Sequence, residues 1–295
     1  MIPGILPTVD YAFKHLLGRE STRPILINVL DSVLLPAPGH NIHDVDLMNP
    51  FNSKEALDDK LSILDIKARD QSGRQFNVEM QMLAYRYYEK RILYYGCKLH
   101  QQQLHEGEDY LKLRPTISIS FLDHVMFPDV PDYHLRFRLL EESRHFPFTE
   151  DLEIHILELP KFNKSESELK TDLDIWLYFF RHAEKMDTDA LPAALAQHPL
   201  VRRALEELLM LTQTDLERER YESRRKAQLD YNTGLKVARM EGHEQGRIEE
   251  NIKFIHLFER QLKRPETPTE QLARLPLEQL SRLADELQNQ VFQQR

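Results

Sequence analysis

Two carboxylates, Asp65 in Leu64-Asp65-Ile66-Lys67 and Glu79 in Val78-Glu79-Met80-Gln81, stand fifteen residues apart, counted inclusively, on either side of a turn signal. Leu61, Ile63, Asp65 and Lys67 alternate with Ser62, Leu64, Ile66 and Ala68, and Gln75, Asn77, Glu79 and Gln81 alternate with Phe76, Val78, Met80 and Met82. That period of two predicts a pair of strands. Between them, Gln71, Ser72 and Gly73 make a three-residue hairpin loop, with glycine where the backbone must turn left-handed, so Asp70 pairs with Arg74. The register then pairs residues whose numbers sum to 144, which sets Asp65 opposite Glu79. Side-chain bases so placed lie roughly 4.5–5.5 Å apart. Gln81 and Lys67 follow on the same face.

Like charges directly opposed on a sheet repel, so one is protonated or both share a cation. Oxygen ligands without Cys or His suit Mg²⁺, with Mn²⁺ as a substitute, and such ions bind through one or two carboxylates together with water and substrate phosphates. The substrate would then carry phosphate. The competing reading is a register slipped by one residue, with both acids facing solvent.

The elements around this hairpin follow from simple patterns. Thr8 or Asp10 can cap a first helix, and Ile25, Leu26, Val29, Leu30 and Val33 continue at helical spacing until Pro36-Ala37-Pro38-Gly39. Residues 42–48 alternate as a strand, 84–106 read as a long helix, and Thr116–Leu122 and Leu152–Leu159 read as further strands. Residues 123–150 have the mixed character of a loop insertion with one edge strand. After Phe162 the composition turns helical, and Asn163-Lys164-Ser165-Glu166-Ser167 marks the expected boundary between a domain of residues 1–162 and a helical region of residues 163–295.

Several motifs in one order carry a resemblance. Leu6-Pro-Thr-Val-Asp10-Tyr-Ala-Phe13-Lys14, Ile63-Leu-Asp65-Ile-Lys67, Val78-Glu79-Met-Gln81, Lys90-Arg91-x-x-Tyr94-Tyr95 and Gln103-Leu-x-x-Gly107-x-x-Tyr110 resemble the Rpn family of recombination-promoting nucleases and transposases, within the PD-(D/E)XK nuclease superfamily. Arg114-Pro-Thr-Ile-Ser-Ile and Ile156-Leu-Glu158-Leu-Pro-Lys161-Phe162 extend it, so the likeness covers roughly residues 6–163. It implies an α/β fold: a restriction-endonuclease-like core with a mixed sheet flanked by helices, followed here by an all-α C-terminal region. It also implies metal-dependent DNA cleavage in recombination, transposition or mobile-element defence, with Asp65 and Glu79 as the two acids. The carbonyl of Val78, Gln81 or Asp10 would help hold the ion. Gln81 occupies the position of the superfamily's lysine and cannot act as a base, so deprotonation would fall to a second metal, the substrate phosphate or Lys67.

The remaining candidates have competing roles. Asp10 is either a support near the metal or a first-turn acid, and Lys14 either pairs with it or reaches a substrate phosphate. Arg91, Tyr94, Tyr95 and Lys98 share helical spacing; a guanidinium there can fork onto phosphate. Tyr85, Tyr87 and Tyr88 can stack on unpaired bases or simply fill the core. Glu55, Asp58 and Asp59 read as a solvated turn that can assist a metal through water. Gln103, Gly107 and Tyr110 read as architectural.

The net charge of −9 argues against bulk electrostatic binding of nucleic acid, yet residues 1–115 hold 14 Lys and Arg against 15 Asp and Glu, a balance of only −1. The acidity lies elsewhere. The 13 histidines show no paired ligand spacing, and the single cysteine, Cys97, fits a reducing compartment. No apolar run is long enough for a membrane span and no secretory signal is seen, so a cytoplasmic location is expected. Trp176, Phe179, Phe180, Leu205, Leu208 and Leu209 require burial, which predicts self-association of the helical region, most simply as a homodimer. A second outcome keeps the fold without the reaction: a catalytically weak nucleic-acid-binding or oligomeric scaffold.

Overall fold

A computed structural model describes residues 1–35, 41–49, 51–52, 62–63 and 65–293, with backbone alone at 51–52 and 62–63. The chain divides into two compact units, Met1–Gln228 and Leu229–Arg295. The first unit opens with helices α1 (Asp10–Leu17) and α2 (Arg23–Leu34), then strands β1 (Val45–Met48), β2 (Phe51–Asn52), β3 (Ser62–Ile63), β4 (Ile66–Asp70) and β5 (Gln75–Gln81). Helix α3 (Tyr88–Gln101), strands β6 (Thr116–Leu122), β7 (His134–Arg138) and β8 (Leu152–Glu158), and helices α4 (Asp172–His182), α5 (Ala193–Ala196) and α6 (Pro199–Met210) follow. Helix α7 (Asp215–Gln261) begins in the first unit and ends in the second, which α8 (Thr269–Leu272) and α9 (Leu277–Gln293) complete.

Six strands form a mixed sheet in the order β1-β4-β5-β6-β8-β7, and β2 pairs with β3 separately. The β4–β5 ladder pairs Ile66 with Val78, Lys67 with Asn77, Ala68 with Phe76 and Arg69 with Gln75, which is the predicted register. At the turn, Gly73 has φ +88°, and its N–H and that of Asp70 close the loop on Asp70 O and Arg74 O. β6 is parallel to both neighbours, β5 and β8. All seven of its residues are buried, as a strand covered on both faces must be. The insertion supplies its one strand, β7, antiparallel at the sheet edge.

One face of the sheet packs Phe76, Val78, Met80, Ile117, Ile119, Phe121 and Leu157 against α1, α2, α4 and α6. Phe121 sits between Phe13 of α1 and Phe180 of α4, with ring centroids at 6.0 and 5.1 Å. Trp176, Phe179, Phe180, Leu205 and Leu208 are therefore buried in the same core as Phe13. This differs from the expected boundary at 162/163: the α4–α6 segment completes the sheet's own core, and the burial that motivated a dimer is met within one chain. At about 1.5–3 kcal/mol per fully buried large apolar side chain, these residues hold α4 and α6 to the sheet.

The opposite face carries α3, whose Tyr88 and Ile92 pack with Leu122 and Ile156. A Cβ on Gly96 would lie 3.1 Å from Ser118 Oγ, so glycine lets α3 approach β6 closely. That approach fixes where the start of α3 sits over β5. The second unit has its own small core of Ile252, Ile255, Leu272, Leu280, Ala284 and Leu287. α7 runs unbroken through Gly242 and Gly246, and Pro276 lies between α8 and α9. Glu55, Asp58 and Asp59, like Leu61 and Leu64 of the strand pattern, lie outside the described residues.

Candidate active site

The face of β5 turned toward α3 carries Asn77, Glu79 and Gln81, all buried. Glu79 is 3% exposed. Its Oε1 accepts from Asn77 Nδ2 at 3.2 Å and its Oε2 from the Tyr88 hydroxyl at 3.1 Å. Arg91 Nη2, one turn further along α3, stands 3.8 Å from the same Oε2. Asp65 immediately precedes β4, and its Oδ2 accepts the Met80 backbone N–H at 3.1 Å, which ties it to the end of β5 where Glu79 projects. Its Oδ1 lies 3.1 Å from Lys14 Nζ, which also contacts Asp10 Oδ1 at 2.7 Å. Asp10 starts α1 as a first-turn acid; the N-cap is Val9, without a side-chain capping bond.

Electrostatics follow from this placement. Burial pushes the Glu79 carboxyl above its usual range, and the Asp65 charge pushes it further, against the partial relief from Arg91. Burial likewise raises Asp65; Lys14 opposes that rise and Asp10 adds to it. Burial alone would lower Lys14, but Asp65 and Asp10 raise it. Lys67, on the same face two residues after Asp65 and paired with Asn77, is held below the ordinary lysine range by burial.

Two carboxylates that feel each other's charge, each costly to ionise without a partner, are a donor set that fits a hard cation. Asn77 Oδ1, beside Glu79, has no hydrogen-bond partner among the described residues. Among the described residues no group of three or more His, Cys, Asp or Glu side chains is gathered for a metal. Among the described residues the site thus offers the carboxylates of Asp65 and Glu79, and with one or two carboxylates Mg²⁺ keeps much of its water and takes substrate oxygens.

The sequence-predicted residues separate into three settings. Asp65, Glu79, Lys14 and Asp10 are linked by direct contact or charge, and Arg91 joins them through Glu79. Gln81 is buried, with Nε2 donating to Leu83 O at 3.0 Å, and Val78 is a core residue of β5 paired with Ile66 and Ile119. Tyr94 is 43% exposed, whereas Tyr95 is 7% exposed, its ring 5.3 Å beneath the Arg91 guanidinium carbon. Two contributors were not assigned from sequence. Tyr88, which reads as a possible base stacker, is buried and holds Glu79; Asn77 shares the Glu79 face by period two and was the visible signal.

Alongside Arg91 opens a cleft of about 570 Å³ that includes Arg86, Lys90, Tyr85, Tyr87 and Tyr94. Among the described residues no helix is long and apolar enough to cross a membrane. In comparison with known proteins, no curated protein and no solved structure matched the chain. The sequence profile described as PD-(D/E)XK nuclease family transposase matches residues 7–238, well over half the chain and including every element of the sheet. With its mixed sheet, flanking helices and paired acids, the chain belongs to the PD-(D/E)XK nuclease family transposases.

Proposed function

We propose that the protein is a divalent-metal-dependent DNA endonuclease acting in recombination, transposition or mobile-element defence. The observation that carries this reading is the placement of two carboxylates in a nuclease-family sheet: Glu79, buried on β5, and Asp65, half-buried just before β4 and tied to β5 through the Met80 N–H. Asp65 and Glu79 would hold Mg²⁺, with Mn²⁺ as a substitute, and the Val78 carbonyl, Gln81 or Asp10 would assist. A bound ion would lower the pKa of a coordinated water and neutralise charge on the scissile phosphate.

The chain's own groups supply the rest. Lys67, whose ammonium is disfavoured by burial, is suited to accept a proton, a task Gln81 cannot perform. Tyr88 and Asn77 fix the Glu79 carboxylate in place by two hydrogen bonds. Arg91, steadied from below by Tyr95, presents a planar fork to a phosphate oxygen pair, and Tyr94 lies at the rim of the same cleft. Lys14 can shift from the carboxylates to phosphate once a cation takes over their neutralisation.

One observation favours a second reading, DNA binding without cleavage: the Lys14 ammonium already contacts Asp10 and Asp65. Supercoiled plasmid incubated with the full chain separates the two. Nicking that requires Mg²⁺ or Mn²⁺ and is lost in Asp65→Asn supports the nuclease. Retention of supercoiled DNA by wild type across metals, with a gel shift, supports the binding protein.

A further inference from the structure

The cleft beside Arg91 combines features that the reaction centre alone does not require. It presents three cations, Arg86, Lys90 and Arg91, and among the described residues no carboxylate lines it. Tyr88 and Tyr95 form its buried floor, while Tyr85, Tyr87 and Tyr94 are 39%, 53% and 43% exposed. Arg91 stands 5.9 Å from the Tyr85 ring centroid, and Arg86 and Lys90 stand 5.0 and 4.7 Å from that of Tyr87. Cations and aromatic faces thus alternate along one wall.

Tyr87 also has a left-handed backbone, φ +65° and ψ +31°, at the N-cap of α3, where it makes no side-chain capping bond. A non-glycine residue costs energy in that conformation, and glycine would not. The strain is retained with a residue whose side chain caps nothing and points into water. The same helix turn carries Tyr88, bonded to Glu79, and Arg91, 3.8 Å from Glu79, so the cleft adjoins the carboxylate.

We infer that this cleft binds an unpaired nucleobase of a DNA strand, stacking it on Tyr87 and its neighbours Tyr85 and Tyr94 while Arg86, Lys90 and Arg91 take the adjoining phosphates. The inference rests on the nuclease reading for its biological sense and names the substrate class: DNA with single-stranded character next to the cut. Aromatic rings can stack only on bases whose faces are free, because in a duplex neighbouring base pairs cover them. The alternation of cation and ring matches the backbone and bases of one strand. A base stacked on Tyr87 takes the ring face that Arg86 or Lys90 now covers, and the displaced cation is within reach of the adjoining phosphate.

The test is fluorescence anisotropy in EDTA, where no cleavage occurs, with a labelled single-stranded oligonucleotide and its duplex, together with quenching of 2-aminopurine placed within the strand. The full-length chain should bind the single strand more tightly than the duplex and quench 2-aminopurine. Tyr87→Gly should weaken single-strand binding roughly 5- to 100-fold, the range given by loss of one stacked base. It should abolish the quenching, leave duplex binding unchanged and keep or raise the melting temperature, since glycine relieves the left-handed strain. Tyr94→Ala is a second variant, on an exposed position whose loss does not open the core. Equal affinity for single strand and duplex, or unchanged quenching in both variants, overturns the inference. Plasmid cleavage without single-strand preference overturns it alone, whereas single-strand binding without any metal-dependent cleavage upholds it and overturns the nuclease reading.

Discussion

Replacing Glu79 by glutamine should stabilise the metal-free protein at alkaline pH, although it removes a residue central to the proposed reaction. The Asp65 charge raises the Glu79 carboxyl, and two carboxylates about 5 Å apart would repel by ~3 kcal/mol at an effective dielectric constant of about 20. Lys14, 3.1 Å from Asp65, and Arg91, 3.8 Å from Glu79, offset part of this, and a net gain of ~1–2 kcal/mol is a reasonable remainder. Glutamine is nearly isosteric, and a turn of the Asn77 amide, whose Nδ2 now donates to Glu79 Oε1, lets its unpaired Oδ1 accept from the new N–H₂ while the glutamine oxygen accepts from Tyr88. For a unit of this size the gain corresponds to a melting temperature higher by ~2–8 °C. The pH dependence supplies the sign. Because the folded-state pKa of Glu79 is raised, the folded chain holds a proton that the unfolded chain has lost, so wild-type stability falls as pH rises from about 4.5 through the folded value. The advantage of Glu79→Gln should be present at pH 8 and shrink toward pH 5. Circular-dichroism melts of both proteins in EDTA decide it. A variant that melts lower than wild type at pH 8, or by the same margin at both pH values, refutes the repulsion argument.

Other outcomes follow from the same structure. Cleavage at subsaturating Mg²⁺ should rise with pH through an apparent pKa above the ordinary carboxylate range, because protons held on Asp65 and Glu79 compete with the ion; a rate flat from pH 5 to 8 would contradict this. His134 is lowered to about 4 by burial, His155 and Arg136, so the unfolded state takes up its proton first and stability should drop between pH 6.5 and about 4. Urea midpoints should show that drop, reduced in His134→Gln. A fragment of residues 1–228 should unfold cooperatively, whereas residues 1–162, deprived of Trp176, Phe179 and Phe180, should expose the core around Phe121 and bind a hydrophobic dye.

The hairpin was legible because its signals were local: alternation on both strands and a glycine at the one position where the loop turns left-handed. β6 and β8 were equally plain: β6 is a run of apolar and small residues, as a strand covered on both faces must be, and β8 alternates Leu152, Ile154 and Ile156 with Glu153 and His155. The boundary after residue 162 was not where the chain divides, because a helix that completes a sheet's core and one that builds a separate domain carry the same amphipathic pattern. Only the meeting of Phe180 with Phe121 across more than fifty residues distinguishes them. That Asp65, Glu79 and Arg91 come close together was readable from pairing and helical spacing. Tyr88 was not, because its role depends on how closely α3 approaches β6 at Gly96, a distance that no residue spacing encodes. Tyr94 and Tyr95, adjacent in sequence, separate for a similar reason: one turns outward and the other lies beneath Arg91.

The central claim is that Asp65 and Glu79 together hold a divalent cation. Titration of Mn²⁺ into the full chain, followed by the loss of the free-ion electron paramagnetic resonance signal, reads that directly. The wild type should take up Mn²⁺ in competition with Mg²⁺, and Asp65→Asn and Glu79→Gln, both folded by circular dichroism, should each lose that uptake. Equal uptake by wild type and both variants would place the ion elsewhere and contradict the account.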